Sequence, residues 1–198
     1  MRTITRTYDL FQLAELSAAA RDTAYNEWLH TFEYGWESDN RNTLEAFESV
    51  FKVKVNDWSY DTCRYSYRFT SRYSGKEEEL CGIRLLKYIV NNYWHTLFKP
   101  KAYYLKGNYK KRRKSRVFTD NCCVLTGYCA DEDILRPIYD FLKAPDTRTT
   151  LYDLMDKCLD SFFKSCRDDM EFQCSEEGFE ESCAANDYEF LENGKMYN

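Results

Sequence analysis

Between Glu77 and Phe98 an apolar residue returns at every third or fourth place: Leu80, Ile83, Leu86, Val90, Trp94 and Leu97, with Leu85, Ile89 and Tyr93 beside them. A period near 3.6 sustained over that length dictates an amphipathic helix. Glu77, Glu78 and Glu79 suit its positive end, and Pro100 ends it. So wide a stripe needs cover on more than one side, and the helix is expected across a sheet at the centre of the core.

The sheet has its own signature. Arg64–Tyr73 alternates, with Tyr65, Tyr67 and Phe69 on one face and Arg64, Ser66, Arg68, Thr70 and Arg72 on the other. Period two with aromatics on one side marks a half-buried strand. Lys52–Tyr60 precedes it as the other arm of a hairpin, and Ser74-Gly75 closes the pair. Helix and hairpin together define the fold class: α+β, a mainly antiparallel sheet packed by about five helices.

The remaining segments fill that outline. Thr3–Phe11 reads as a short strand. Ser17 caps a helix running to about Tyr34, with Ala20, Ala24, Trp28 and Phe32 as its buried stripe and Leu16 stapling the first turn. A helix over about Asn40–Phe51 starts near Ser38 and Asp39 and buries Leu44, Phe47, Val50 and Phe51. Ala102–Leu105 and Arg116–Thr119 flank a second hairpin with a long, projecting basic tip. Asp131–Lys143 is helical with a break at Pro137, which lacks the donor a helix interior uses. Thr150–Cys166 is a helix with Leu151, Leu154, Leu159, Phe162 and Phe163 inward. Tyr188–Leu191 and Met196-Tyr197 form a closing hairpin about Asn193-Gly194.

A chain of 198 residues is expected as one domain, 1–198. With only 7 glycines and 3 prolines it lacks linker composition. No run approaches the roughly 20 apolar residues that span a bilayer, and the first residues lack a signal-peptide core. Nine cysteines, an odd number without a secretion signal, point to reduced thiols and a cytoplasmic protein with no membrane partner.

Charge is unevenly placed. Nine basic residues crowd into Lys99–Arg116, whereas Asp131–Asn198 carries 18 acidic residues against 7 basic ones. Lys106, Tyr109, Lys110, Lys111, Arg112, Arg113, Lys114 and Arg116 make the first candidate site. Cations neutralise phosphates, and interleaved tyrosines, Tyr103 and Tyr104 among them, stack on bases. The Arg64/Arg68/Arg72 face extends such a surface. The competing interpretation is a solvated tip whose charges answer the protein's own acidic third. Asp168, Asp169, Glu171, Glu176, Glu177, Glu180 and Glu181 make the second candidate site. Carboxylates spaced along helices imitate a phosphate backbone, with Tyr152, Phe172, Phe179 and Tyr188 as anchors; an ordinary acidic surface is the competing interpretation.

Catalytic and cofactor signatures do not emerge. Cys122, Cys123 and Cys129 are the densest thiol group, but no C-x-x-C knuckle occurs, so no metal or other cofactor is expected and the thiols are assigned to the core. His30 and His95 stand without a hydrolase, metalloprotease or deaminase motif, and read as surface or structural residues. Asp131 and Asp133 read as charges at a helix start. The expectation is a non-enzymatic protein.

Several stretches together resemble an uncharacterised group of small bacteriophage and prophage accessory proteins of gut bacteria. They are Glu15-Leu16-Ser17, Tyr65-Ser66-Tyr67, Gly82–Tyr88, Leu125–Asp131, Pro137–Leu142 and Asn186–Gly194. Their order along nearly the whole chain carries the resemblance. The alanine triplet Ala18–Ala20 departs from the more acidic helix start of that group. The resemblance implies an accessory gene product acting in the cytoplasm of a host bacterial cell, with a bacterial host protein as partner. Joined to the charge pattern, it leads to an inhibitor of a host defence nuclease, anti-CRISPR-like, docking on an effector that itself binds nucleic acid. The alternative is a nucleic-acid-binding accessory protein using the basic Lys106–Arg116 hairpin.

Overall fold

The computed structural model describes residues 1–4, 6–105, 108–120 and 122–197, without the side chains of 103–105, 108–112, 116–118 and 120. In chain order its elements are α1 (Ala18–Thr31), α2 (Glu37–Val50), β1 (Val53–Tyr60), β2 (Tyr65–Ser71), α3 (Gly75–Glu78), α4 (Gly82–Leu97), β3 (Lys99–Leu105), β4 (Asn108–Asp120), α5 (Ala130–Lys143), α6 (Leu151–Gln173) and α7 (Glu176–Asn186).

The chain is mixed α+β, yet helix outweighs sheet. Among the described residues there are seven α-helices and two sheets of two antiparallel strands each, in place of a dominant sheet with about five helices. The cause lies in what covers each hairpin. Tyr65, Tyr67 and Phe69 do line one face of β2, as the alternation requires. That face packs on α6 rather than on a larger sheet: Tyr67 stacks on Phe163 at 5.1 Å and Phe69 on Tyr152 at 5.0 Å between ring centroids. The expected strand over Thr3–Phe11 reduces, among the described residues, to one bridge between Phe11 and Phe190.

Two compact units emerge, Met1–Gly35 with Asp168–Asn198, and Trp36–Arg167. In the larger, α2, β1, α4, α5 and α6 enclose a core that includes Phe47, Phe51, Val53, Leu85, Ile134 and Phe163. The helix foreseen over Glu77–Phe98 is two helices. Cys81 is extended and bridges Thr150, while the Leu80 carbonyl accepts the Leu151 amide at 2.9 Å. Restarting at Gly82 sets a new rotational phase. Leu85, Ile89, Tyr93 and Leu97 therefore face the core, and Ile83, Val90 and Trp94 of the expected stripe are exposed. The expected break at Pro137 is absent, and α5 runs through it.

In the smaller unit Ser17 caps α1, its Oγ accepting the Ala20 amide at 3.3 Å. Leu16, Ala20 and Ala24 pack with Phe179, Cys183 and Phe190. Trp28 lies 5.1 Å and Tyr25 5.7 Å from Phe179, ring to ring. The closing hairpin forms about Asn193-Gly194, where the Gly194 amide donates to the Leu191 carbonyl at 2.8 Å.

Candidate functional site

The acidic surface is built on α7. Ser175 caps the helix by accepting the Gly178 amide at 3.1 Å, which fixes its rotation. Gly178, Phe179 and Cys183 then point inward, leaving Glu176, Glu177, Glu180 and Glu181 exposed. Their spacing creates two like-charge pairs four residues apart, 176/180 and 177/181, each unfavourable by a few tenths of a kcal/mol, and a third, 177/180, three apart. The positive end of the helix compensates only the first two. No ion pair among the described residues engages these four or the exposed Glu171.

The rest of the acidic third divides by role. Asp168 and Asp169 are half-buried, and Asp169 accepts the Tyr34 hydroxyl at 2.6 Å. On α6, Asp156 accepts Tyr67 at 2.9 Å and Asp160 accepts Tyr65 at 2.8 Å, so these carboxylates tie the helix to β2. Desolvation and the Asp156 hydrogen bond push the Tyr67 hydroxyl well above its usual range. Among the expected anchors, Phe179 is buried in the core and serves none; Tyr152 and Phe172 are exposed.

The basic block lies within a strand instead of at a hairpin tip. β4 carries Tyr109, Lys110, Lys111, Arg112, Arg113, Lys114 and Arg116, and the register sets Ala102 opposite Lys114, Tyr103 opposite Arg113 and Tyr104 opposite Arg112. Lys106 lies outside the described residues, as do the side chains of Tyr109, Lys110, Lys111, Arg112 and Arg116. Arg113 and Lys114 are exposed and enter no ion pair among the described residues. Arg64, Arg68 and Arg72 are exposed too, though they belong to the β1–β2 hairpin, a separate sheet, and Arg64 pairs with Asp61 at 3.4 Å.

A third constellation was missed from sequence. Asp131, expected as a simple helix-start charge, is fully buried. Its Oδ2 accepts the amides of Leu125, Thr126 and Gly127 at 2.8, 2.7 and 3.0 Å, and its Oδ1 accepts the hydroxyls of Thr126 at 2.7 Å and Thr43 at 3.2 Å. One carboxylate thus ties the 122–129 loop to α5 and α2. The signal lay in Thr-Gly four to five residues before an aspartate, a loop able to turn successive amides toward one acceptor.

That loop presents thiols outside the core. Cys158, Cys166 and Cys183 are buried as expected, but Cys63, Cys122 and Cys129 are exposed. Cys122 Sγ lies 3.4 Å from Cys123 Sγ and 2.5 Å from Glu132 Oε1, and Cys123 Sγ lies 3.8 Å from the same oxygen. Desolvation, then the neighbouring Cys122, pushes the Cys123 thiol up to about 12. Cys122 and Glu132 line an open groove of about 580 Å³ with Trp94, Phe98, Arg136 and Tyr139. His30 and His95 are exposed, in the last turns of α1 and α4.

No helix among the described residues is long and apolar enough to cross a membrane. No family model, curated protein or solved structure matches the chain.

Proposed function

We propose that this chain is a non-enzymatic, phage-associated interaction protein whose acidic α7 face docks on a nucleic-acid-binding effector of the host bacterial cell, in the manner of an anti-CRISPR inhibitor of a defence nuclease. One observation carries the proposal. Glu176, Glu177, Glu180 and Glu181 sit together on one exposed helix face, repel one another, and find no cation among the described residues. A cluster that costs the helix stability and meets no cation among the described residues suits compensation by a basic partner groove. The resemblance to phage accessory proteins supports the setting, the cytoplasm of an infected cell.

The test is capture from a bacterial lysate on the immobilised chain and on the E176Q/E177Q/E180Q/E181Q variant. The wild-type chain should retain a nucleic-acid-binding protein that the variant loses at matched folding. Equal recovery on both surfaces overturns the proposal.

The basic block supports a second reading, direct nucleic-acid binding. Its residues occupy a two-stranded antiparallel ribbon with tyrosines opposite arginines, and a ribbon of that width enters a major groove. Purified chain alone should then shift duplex DNA with a steep salt dependence, and alanines at Lys110–Lys114 should abolish the shift. No shift at low salt removes this reading.

A further inference from the structure

We propose that Cys122, Cys123 and Glu132 form a binding site for a thiophilic divalent cation, Zn²⁺ being the fitting ion, with one coordination position left open toward the neighbouring groove. The three donor atoms already converge. Two thiol sulfurs and one carboxylate oxygen lie within 3.8 Å of one another. Tetrahedral zinc, with Zn–S near 2.3 Å, holds two thiolates roughly 3.8 Å apart. The Cys122–Cys123 separation of 3.4 Å is close to that. The Glu132 oxygen, 2.5 Å from Cys122 Sγ, would withdraw by about 1 Å, a small rotation for an exposed side chain.

Two backbone features hold this geometry. Cys123 occupies the left-handed region at φ 49°, where a cysteine carries strain, and this conformation accompanies adjacent side chains that converge on one point. The buried Asp131 carboxylate anchors the loop to the first turn of α5 through three amides and a hydroxyl. Glu132 is the next residue, so the anchor that fixes the loop also fixes the third donor against the thiols. Two sulfurs and one oxygen select a borderline-soft ion over magnesium or calcium. Three protein donors leave a position for water or a ligand donor. Cys122 and Glu132 both line the groove, whose aromatic residues Trp94, Phe98 and Tyr139 suit a ligand with an apolar body. Binding balances by loss of the thiol protons to solvent as two thiolates form on the metal.

The experiment is titration of the reduced, full chain with Co²⁺ as a spectroscopic stand-in, followed by displacement with Zn²⁺. One equivalent should produce an intense thiolate-to-cobalt charge-transfer band that Zn²⁺ abolishes. C122S and C123S should each lose the band, E132Q should weaken binding, and C63S, at an exposed thiol elsewhere, should leave it unchanged. All four positions are exposed or nearly so, and circular dichroism verifies folding. No band with the wild-type chain, or a band that survives in both C122S and C123S, overturns the assignment.

Discussion

The Ser161 hydroxyl on α6 donates to the backbone carbonyl of Asp133 on α5 at 2.8 Å, and Asp133 is the residue four before Pro137. In a regular helix that carbonyl takes the amide of residue 137, which proline lacks. A neighbouring helix therefore supplies the missing donor, and α5 continues where it would otherwise kink. Removing the hydroxyl leaves a partly buried acceptor unserved. S161A should lower stability by about 1 kcal/mol. In a P137A background, where the alanine restores a backbone amide to α5, the same substitution should cost measurably less. Urea denaturation of the four members of this cycle reads the coupling directly.

Asp131 should be the most sensitive polar position in the larger unit. D131A removes the shared acceptor of three amides and leaves the Thr43 and Thr126 hydroxyls only each other, at 3.2 Å, and should cost on the order of 3 kcal/mol. D131N keeps the volume but turns an amide donor toward other donors, and should recover only part of that loss. Hydrogen exchange at Leu125, Thr126 and Gly127 should quicken in both variants, with the exchange of α6 amides changed far less.

Two left-handed glycines separate steric from torsional cost. At Gly194, φ 86°, a Cβ would collide with the Ala20 carbonyl oxygen; at Gly127, φ 99°, it would meet open space. G127A incurs torsional strain alone, about 1 kcal/mol. G194A must also displace α1 backbone from the closing hairpin, and should cost roughly 3 kcal/mol. Thermal unfolding of the two variants should show this order.

Glu77 should shape the acid limb of stability. It accepts the Ser74 amide at 2.8 Å, the Tyr88 hydroxyl at 2.8 Å and the Ser74 hydroxyl at 2.9 Å, with Lys52 at 3.7 Å. The Ser74 amide first, then Tyr88, holds its carboxyl down to about 2, below the ordinary 4.5. A depressed acid stabilises the fold above its unfolded-state value and loses that contribution as pH falls through the folded one. The loss therefore lies between about pH 4.5 and about pH 2. E77Q should be less stable than wild type near neutrality and nearly equal to it at the acid end. Asp146, held to about 2 chiefly by the Thr149 amide and hydroxyl, gives the variant a residual slope over a similar range. Urea midpoints across that range measure the difference.

What the sequence conveyed was local periodicity. The alternation of β2, the inward stripe of α6 and the Ser17 cap are set by neighbours within a few residues, and all appear in the structure. The departures come from partners distant along the chain. Leu151, pairing with Leu80, interrupts a helix that its own stripe would continue. Ser161 rescues Pro137, and Thr43 reaches Asp131. Among candidate sites, the exposed glutamates of α7 followed from composition. The Cys122–Glu132 juxtaposition did not, because it depends on how Asp131 folds the intervening loop.

The central claim is that the α7 carboxylates occupy a partner's nucleic-acid groove. The most direct measurement is retention of the captured host protein on the immobilised chain as duplex DNA is added. Retention should fall as DNA rises and should be absent from the start with E176Q/E177Q/E180Q/E181Q. Retention that neither DNA nor the substitutions reduce would contradict the claim.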